Sequence, residues 1–353
     1  MAKRAVWVCL VLAVFTAPVL ATTLRVPKDY DTIQDAIDAA SEGDVIKVSK
    51  GTYTESLRID DHRNLTLKAS GAVILDGEDA RDLLDVDDSI GITVTGFRFV
   101  DAADTAVNIG GSDRVTISKC RFQGGQDALV IGECEDVVVT KCRFEEPNAR
   151  AIRFDWGGGG TLPADCVVEK CRFDGSGSEA LILDGQNHVV TKNRISNSLD
   201  EGIRVFGEGH TITKNRIEGT GQDGIYLAST GHLVQKNVIL DAGEDGIDSD
   251  AGGCELISNK IVTTGNKGIR IDSNGNRVIK NKVIDPGDDG IDVTGEDNLI
   301  EKNLVKDCRD EGYRLRSPNN DIIRNKAKKC GTDVADSFAS QNHYEKNSFP
   351  APG

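Results

Sequence analysis

The stretch "EDGIDSDAGGCELISNKI", Glu244 to Ile261, puts Glu244, Asp245, Asp248 and Asp250 within seven residues, followed by two glycines, a cysteine and Asn259. Alone, it reads as an acidic site. Beside its neighbours, it is one unit of a repeat. Asn259 belongs to a series of eight asparagines, Asn193 to Asn347, each 22 residues from the next. Gly246 belongs to six glycines, Gly202 to Gly312, at the same period. Self-similarity at a fixed period of this length is the mark of a solenoid. Each unit reads acidic–acidic–Gly–Ile–x–Val, a turn, apolar–x–Lys–Asn–x–Ile, and a short loop.

Within a unit the apolar residues alternate, as in Ile203–Arg204–Val205, and no segment of the repeat sustains a helical period. Period-two alternation predicts strands. Three short strands fit into 22 residues, so each unit is expected to form one coil of an all-β parallel β-helix solenoid of about twelve coils. Neighbouring coils then stack about 4.8 Å apart. Like residues fall into ladders: Ile203, Ile225, Ile247, Ile269 and Ile291 in one, Ile195, Ile217, Ile239, Ile261 and Val283 in another. The asparagines are expected at an inward corner, where each amide bonds those above and below. Upstream, cysteine takes the Asn position in "KCRF", at Cys120, Cys142 and Cys171, and alanine takes the Gly position at Ala106, Ala128, Ala151 and Ala180. Cysteine fits a small buried position. Adjacent coils lie within bridging distance, so two of these thiols could pair. Cys308 and Cys330, also 22 apart, are the better pair. The one large insertion is "DWGGGGTLP", 155–163.

The N-terminus departs from the repeat. Lys3, Arg4, an apolar run and a small-residue site ending at Ala21 have the form of a secretory signal over 1–21. Residues 22–353 then make a single domain, secreted or periplasmic, with no membrane span after cleavage and expected to be a monomer. "DYDTIQDAIDAASEGDVIKV" offers Asp31 or Thr32 as a helix cap, with Ile33, Ala36, Ile37 and Ala40 on one face. Such a helix, in a cap over about 24–45, would cover the first coil, since a solenoid end must be shielded from water. Phe338, Tyr344 and Phe349 suit a second cap at about 334–353. The formal charge is −15, and −17 once Lys3 and Arg4 are removed (−15 − 2). That balance argues against nucleic acid and anionic membranes as partners.

"TIQDAIDAASEGDVIKVSKGTYTESLRI" followed by Asn- and Gly-marked coils resembles the right-handed parallel β-helix superfamily of pectate lyases, polygalacturonases and mannuronan C5-epimerases. The resemblance covers about residues 24–349 and implies the pectin lyase fold. It also implies an acidic polysaccharide as substrate or ligand, lyase or epimerase activity with glycoside hydrolysis by paired carboxylates as the alternative, and Ca²⁺ as cofactor. "EDGIDSDAGG" and "GDDGIDVTG" are similar to polygalacturonase aspartate motifs, although no Gly-His-Gly follows.

In a β-helix, chemistry needs side chains on an outer sheet face. Two residues after each Gly come Arg204, Tyr226, Asp248, Arg270, Asp292 and Arg314; four after come Phe206, Ala228, Asp250, Asp272, Thr294 and Arg316. Asp248, Arg270, Asp292 and Tyr226 are the catalytic candidates. Arginine grips a sugar carboxylate and stabilises the charge formed when the adjacent proton leaves, and tyrosine serves proton transfer if its pKa is lowered. Arg204, Arg314 and Arg316 are candidate substrate ligands. Asp248, Asp250 and Asp272 are candidate oxygen ligands for Ca²⁺. The alternative for the same columns is a salt-bridged outer sheet on a non-catalytic, glycan-binding or structural envelope protein. The Asp before each Gly, Asp223, Asp245 or Asp289, reads as a turn residue bonding backbone. His188, His210 and His232 form a further column, either a polar corner or a transition-metal ladder.

Overall fold

The computed structural model describes residues 21–155 and 161–349. The expected signal lies outside them apart from Ala21, as do Trp156 to Gly160 of the insertion and residues 350–353 of the expected C-terminal cap. The chain winds as a parallel β-helix. One sheet holds 13 strands, the post-glycine segments such as Ile203–Val205, Ile225–Leu227, Ile247–Ser249 and Ile269–Ile271. The other two strands of each coil, for example Thr211–Thr213 and Arg216–Thr220, form a second surface of 25 strands. Those two sets are fused near the N-terminus by the long strands Val45–Tyr53, Thr66–Asp76 and Thr93–Val100. Thirteen rungs, rather than about twelve, arise because early coils fall outside the 22-residue phase: Leu57 pairs with Leu84, and Leu84 with Val107.

The expected ladders are present. Ile203, Ile225, Ile247, Ile269 and Ile291 follow one another in register and are fully buried. Phe99, Phe122, Phe144 and Phe173 stack with centroids 5.0, 4.7 and 4.8 Å apart, then give way to the aliphatic ladder from Ile195. At the inward corner each Asn holds three coils together. The Asn259 Oδ1 accepts the Asn237 backbone N–H at 3.0 Å and the Asn237 Nδ2 at 3.1 Å. Its own Nδ2 donates to Val234 O at 2.8 Å and to Asn281 Oδ1 at 3.0 Å. Cys120, Cys142 and Cys171 are free, buried thiols that continue this column, donating to backbone carbonyls. The Cys308–Cys330 disulfide joins adjacent coils.

A helix covers the N-terminal end of the solenoid, and at the other end the strands Thr332–Asp336 and His343–Glu345 continue the stack. The helix Ile33–Asp38 starts at Thr32, whose side chain accepts the Asp35 N–H, while the Glu55 carboxylate takes the N–H groups of Ile33 and Gln34. Its buried face is Ile33, Ala36 and Ile37. At the far end Phe349 is buried against Tyr313, and Tyr344 and Phe338 are half-buried. Among the described residues no helix is long and apolar enough to cross a membrane.

Replacing Asn259 by Ala would strand the Asn237 N–H and the Val234 carbonyl in the core, at a cost of about 2–4 kcal/mol. Asn259→Cys would cost less, because a thiol already serves this corner at Cys142. Urea denaturation should rank wild type above Asn259→Cys above Asn259→Ala; equal midpoints for the two variants would contradict this account of the ladder.

Candidate functional site

The outward columns fall in register as read. Arg204 pairs with Tyr226, Tyr226 with Asp248, Asp248 with Arg270, Arg270 with Asp292, and Asp292 with Arg314. Each sits between two buried residues of a short strand, three residues long except for Glu311–Leu315 at Arg314, so its side chain is forced to the outer face. The neighbouring column brings Asp250 and Asp272 beside them. The Tyr226 hydroxyl donates to Asp250 Oδ2 at 2.8 Å. The Arg270 guanidinium donates to Asp248 Oδ2 at 3.4 Å and pairs closely with Asp272. Thr294 Oγ1 donates to Asp272 Oδ1 at 2.8 Å.

The other arginines are engaged within the sheet. Arg316 forks onto Asp292, Nε to Oδ1 and Nη2 to Oδ2, both at 3.1 Å. Both Asp292 oxygens are thereby held, and Asp292 is only 2 % exposed, which leaves it poorly placed to act as a base. Arg314 meets Asp289 at 3.2 Å and Glu311 at 3.5 Å. Arg204 meets Glu179 at 3.3 Å and Glu201 at 3.7 Å, with its guanidinium over the rings of Phe206 and Tyr226.

These pairs share a diagonal rule. The acid before the Gly or Ala position faces the outward residue of the next coil, 25 positions on, as in Glu179–Arg204 (before Ala180) and Asp289–Arg314 (before Gly290). Asp245 likewise adds its charge to Arg270. At Lys267 and Asp292 the signs are exchanged. At Asp223 and Asp248 (223 + 25) they are not complementary: two carboxyls occupy the diagonal. Burial pushes Asp223 up to about 7. Burial, then the charge of Asp223, pushes Asp248 up to about 8 against the pull of Arg270. Arg270 gains from the contact, its own pKa rising, but one shared guanidinium does not offset the carboxylates around Asp248. Asp248 Oδ1 is buried without a hydrogen-bond partner.

Asp223 does perform the turn role read from sequence, its Oδ1 accepting the Asp245 N–H at 2.8 Å. Asp245 and Asp289 do the same for Lys267 and Glu311. The sequence reading missed that the Asp223 carboxyl also bears on Asp248, and the signal for it was the 25-residue diagonal. Tyr226 departs from expectation. Its phenol is pushed up to about 12, by burial first and then by its bond to Asp250, so it suits donation rather than proton abstraction.

Among the described residues, one group of three side chains brings metal-ligating atoms together: Asp248, Asp250 and Asp272, all within 4.8 Å of one another. Three carboxylates with one unpartnered oxygen suit a hard, oxygen-seeking cation, and Arg270 is its competitor there. The histidine column does not gather in this way. His188 and His210 each use Nδ1 to accept a backbone N–H from the coil before and Nε2 to donate to the carbonyl four residues earlier. Their rings stack at 4.9 Å, with His232 at 5.2 Å, fully buried. That is the polar-corner arrangement, with both ring nitrogens of His188 and His210 committed. An open concavity of about 570 Å³ lies on another face, lined by Arg121, Gln123, Arg143, Glu145, Asp174 and Asn197 among others.

Comparison with solved structures gives the same architecture at low identity. The surface adhesin PfbA of Streptococcus pneumoniae is 15% identical, covering 89% of this chain and 91% of its own, with TM-score 0.64. The A-module of Azotobacter vinelandii mannuronan C-5 epimerase AlgE6 is 12% identical over 91% and 94%, with TM-score 0.62. A PL6 family polysaccharide lyase from Pseudopedobacter saltans is 14% identical over 81% and 84%, with TM-score 0.59. A search of curated protein sequences found no match. The family described as "Right handed beta helix region" matches residues 83–197, 159–277 and 267–350. These matches span well over half of the sequence, and the chain belongs to that right-handed β-helix family.

Proposed function

We propose that this is an exported β-helix protein whose Arg204–Arg316 face acts on an acidic polysaccharide by proton abstraction beside a uronate carboxylate, as a lyase or epimerase. The observation that carries this reading is the like-charged Asp223–Asp248 diagonal. On a face that pairs many of its charges, it supplies a carboxyl able to exchange a proton near neutral pH, where general acid–base catalysis works best. Arg270, 41% exposed at its side chain, grips the substrate carboxylate and stabilises the enolate-like charge. Asp248 takes the proton. Tyr226 donates one to the departing oxygen or to the opposite face of the sugar. Ca²⁺ held by Asp248, Asp250 and Asp272 would neutralise the cluster and polarise the same carboxylate. Export is supported by the leader-like N-terminus, and the polysaccharide reading by the structurally similar lyase and epimerase.

A non-catalytic glycan binder is the second reading. It is favoured by the engagement of Arg204, Arg314 and Arg316 in ion pairs, and by likeness to an adhesin.

Uronate polymers incubated with the protein should yield an ultraviolet-absorbing unsaturated product, or a changed C5 configuration by NMR. Arg270→Ala and Asp248→Asn should each lower the rate at least about a hundredfold. Turnover that survives both substitutions would remove this face as the active site. Turnover of no uronate polymer, with binding retained, would leave the adhesin-like reading.

Stability offers an independent check. A carboxyl with a raised folded-state pKa keeps its proton after the unfolded chain has lost it. The Asp223–Asp248 contribution is therefore fully present below about pH 4 and is lost as pH rises toward about 8. Asp248→Asn should be more stable than wild type by about 1–3 kcal/mol near pH 8, with the difference fading below about pH 4. Ca²⁺ should raise the wild-type melting temperature near pH 8 and leave Asp248→Asn unmoved; a pH-independent difference, or equal Ca²⁺ shifts, would contradict the site's electrostatics.

A further inference from the structure

The acidic chain carries a basic ridge far from that face. The residue before each ladder Asn or Cys is lysine at Lys119, Lys141, Lys170, Lys192 and Lys214, and the residue after it is arginine at Arg121, Arg143, Arg172, Arg194 and Arg216. The arginines are register partners on five consecutive coils, and Arg98 extends them by one. The lysine position continues through Lys236, Lys280 and Lys302 to Lys346, interrupted by Ser258 and varied by Arg324. All of these lysines are exposed.

The fold does not ask for them. Every lysine of this column has φ between 52° and 59°, the left-handed conformation. That region favours Gly, Asn and Asp and disfavours other residues by roughly 1 kcal/mol. From Asp136 onward a second left-handed corner of these coils obeys the rule, with Asp136, Asp165, Asn187, Gly209, Gly231, Gly253, Gly275 and Asp297, after Arg114 in the first. The lysine corner breaks it coil after coil, so the charge is retained against local backbone preference.

The charge is only partly compensated. From Lys119 to Arg216 the two columns hold ten cations; the five arginines and Lys170 share four carboxylates, Glu145, Glu169, Asp174 and Glu218, and Lys119, Lys141, Lys192 and Lys214 have no salt-bridge partner among the described residues. Ten against four leaves six positive charges along five rungs, in a chain whose acids outnumber its bases 57 to 42. The 570 Å³ concavity beside Arg121 and Arg143 is lined by Glu145, Glu146 and Asp174 as well as by Gln123 and Asn197, so the uncompensated charge lies at the lysine corner rather than inside it.

We infer that this ridge is a second, non-catalytic binding track for an extended, linear anionic polysaccharide, one sugar acid per coil. A pyranose ring spans about one strand spacing, so a carboxylate or sulfate on each sugar meets one Lys–Arg pair per rung. The amide groups suit sugar hydroxyls. Single-stranded nucleic acid would want aromatic platforms for its bases, and the ridge columns contain none. An anionic membrane would want apolar side chains beside the cations, and the large hydrophobics exposed among the described residues, Leu162 and Leu199, belong to other columns.

The substitution set Lys141→Asn, Lys170→Asn, Lys192→Asn and Lys214→Asn tests this with little risk to folding, because asparagine is better suited to that backbone. Affinity electrophoresis in gels containing polygalacturonate or alginate should retard wild type, more at about 50 than at about 200 mM salt. The quadruple variant should bind about tenfold or more weakly while unfolding at an equal or higher urea concentration. Adding the four lysine substitutions to Arg270→Ala should weaken retardation by the same about tenfold as in wild type, which separates this track from the face proposed for chemistry. Retardation of the quadruple variant equal to wild type, or no retardation of wild type, would overturn the inference. So would tighter binding to a DNA oligonucleotide or to phosphatidylserine vesicles than to either polyuronate.

Discussion

The bond on which this structure depends joins an asparagine oxygen to the backbone of the coil before it. From Asn193 to Asn325 each Oδ1 takes the N–H of the preceding ladder residue, and from Asn193 to Asn303 each Nδ2 reaches both the next asparagine and a carbonyl 25 residues back. That fixes the phase of every coil against its neighbours. Once the phase is fixed, a residue type chosen at one position meets its own kind about 4.8 Å away, on both sides. Stacking rewards like with like in the core, as the Ile, Phe and His ladders illustrate, and penalises it on the surface wherever the residue is charged.

The outer face of the post-glycine sheet is a response to that penalty. Arginine and carboxylate alternate along the columns and across the 25-residue diagonal, so that most charges find a partner one coil away. Against this background Asp223 facing Asp248 is a local conflict: neither full burial nor full ionisation suits both groups at neutral pH. A protein can relieve it with a proton or with a cation. Either way, stability is surrendered at this place, as is common at functional sites.

The period made most of the fold legible. Asn and Gly spacing pointed to the coil, the isoleucine ladders, and the outward columns with their register, and the same period made Cys308 and Cys330 the better pair, which the structure joins. The early coils escaped because their lengths vary, as Leu57 to Leu84 shows. The site was legible only in part. Columns are a one-dimensional reading, and they list which residues follow one another along the stack. They do not reveal that a side chain can lean into the next coil, so the charge Asp223 places on Asp248 and the full engagement of Asp292 by Arg316 were hidden. Nor does spacing give direction of titration: Tyr226 is a chemically suitable residue in a suitable place, yet burial and Asp250 move its pKa upward.

The same logic separates two kinds of repetition in this chain. Asparagine recurs because its side chain completes the backbone bonding of the coils above and below, and no further explanation is needed. Lysine recurs beside it at a left-handed corner where asparagine or glycine would be easier to accommodate. Repetition that lowers the energy of the coil speaks of folding. Repetition that raises it, at an exposed position and with one sign of charge, speaks of something outside the coil. A net charge of −15 conceals this, because a sum over the chain averages an acidic body with a basic edge. What a partner meets is the local field at its own distance, and beyond about 10 Å in physiological salt the remaining acids are largely screened from it.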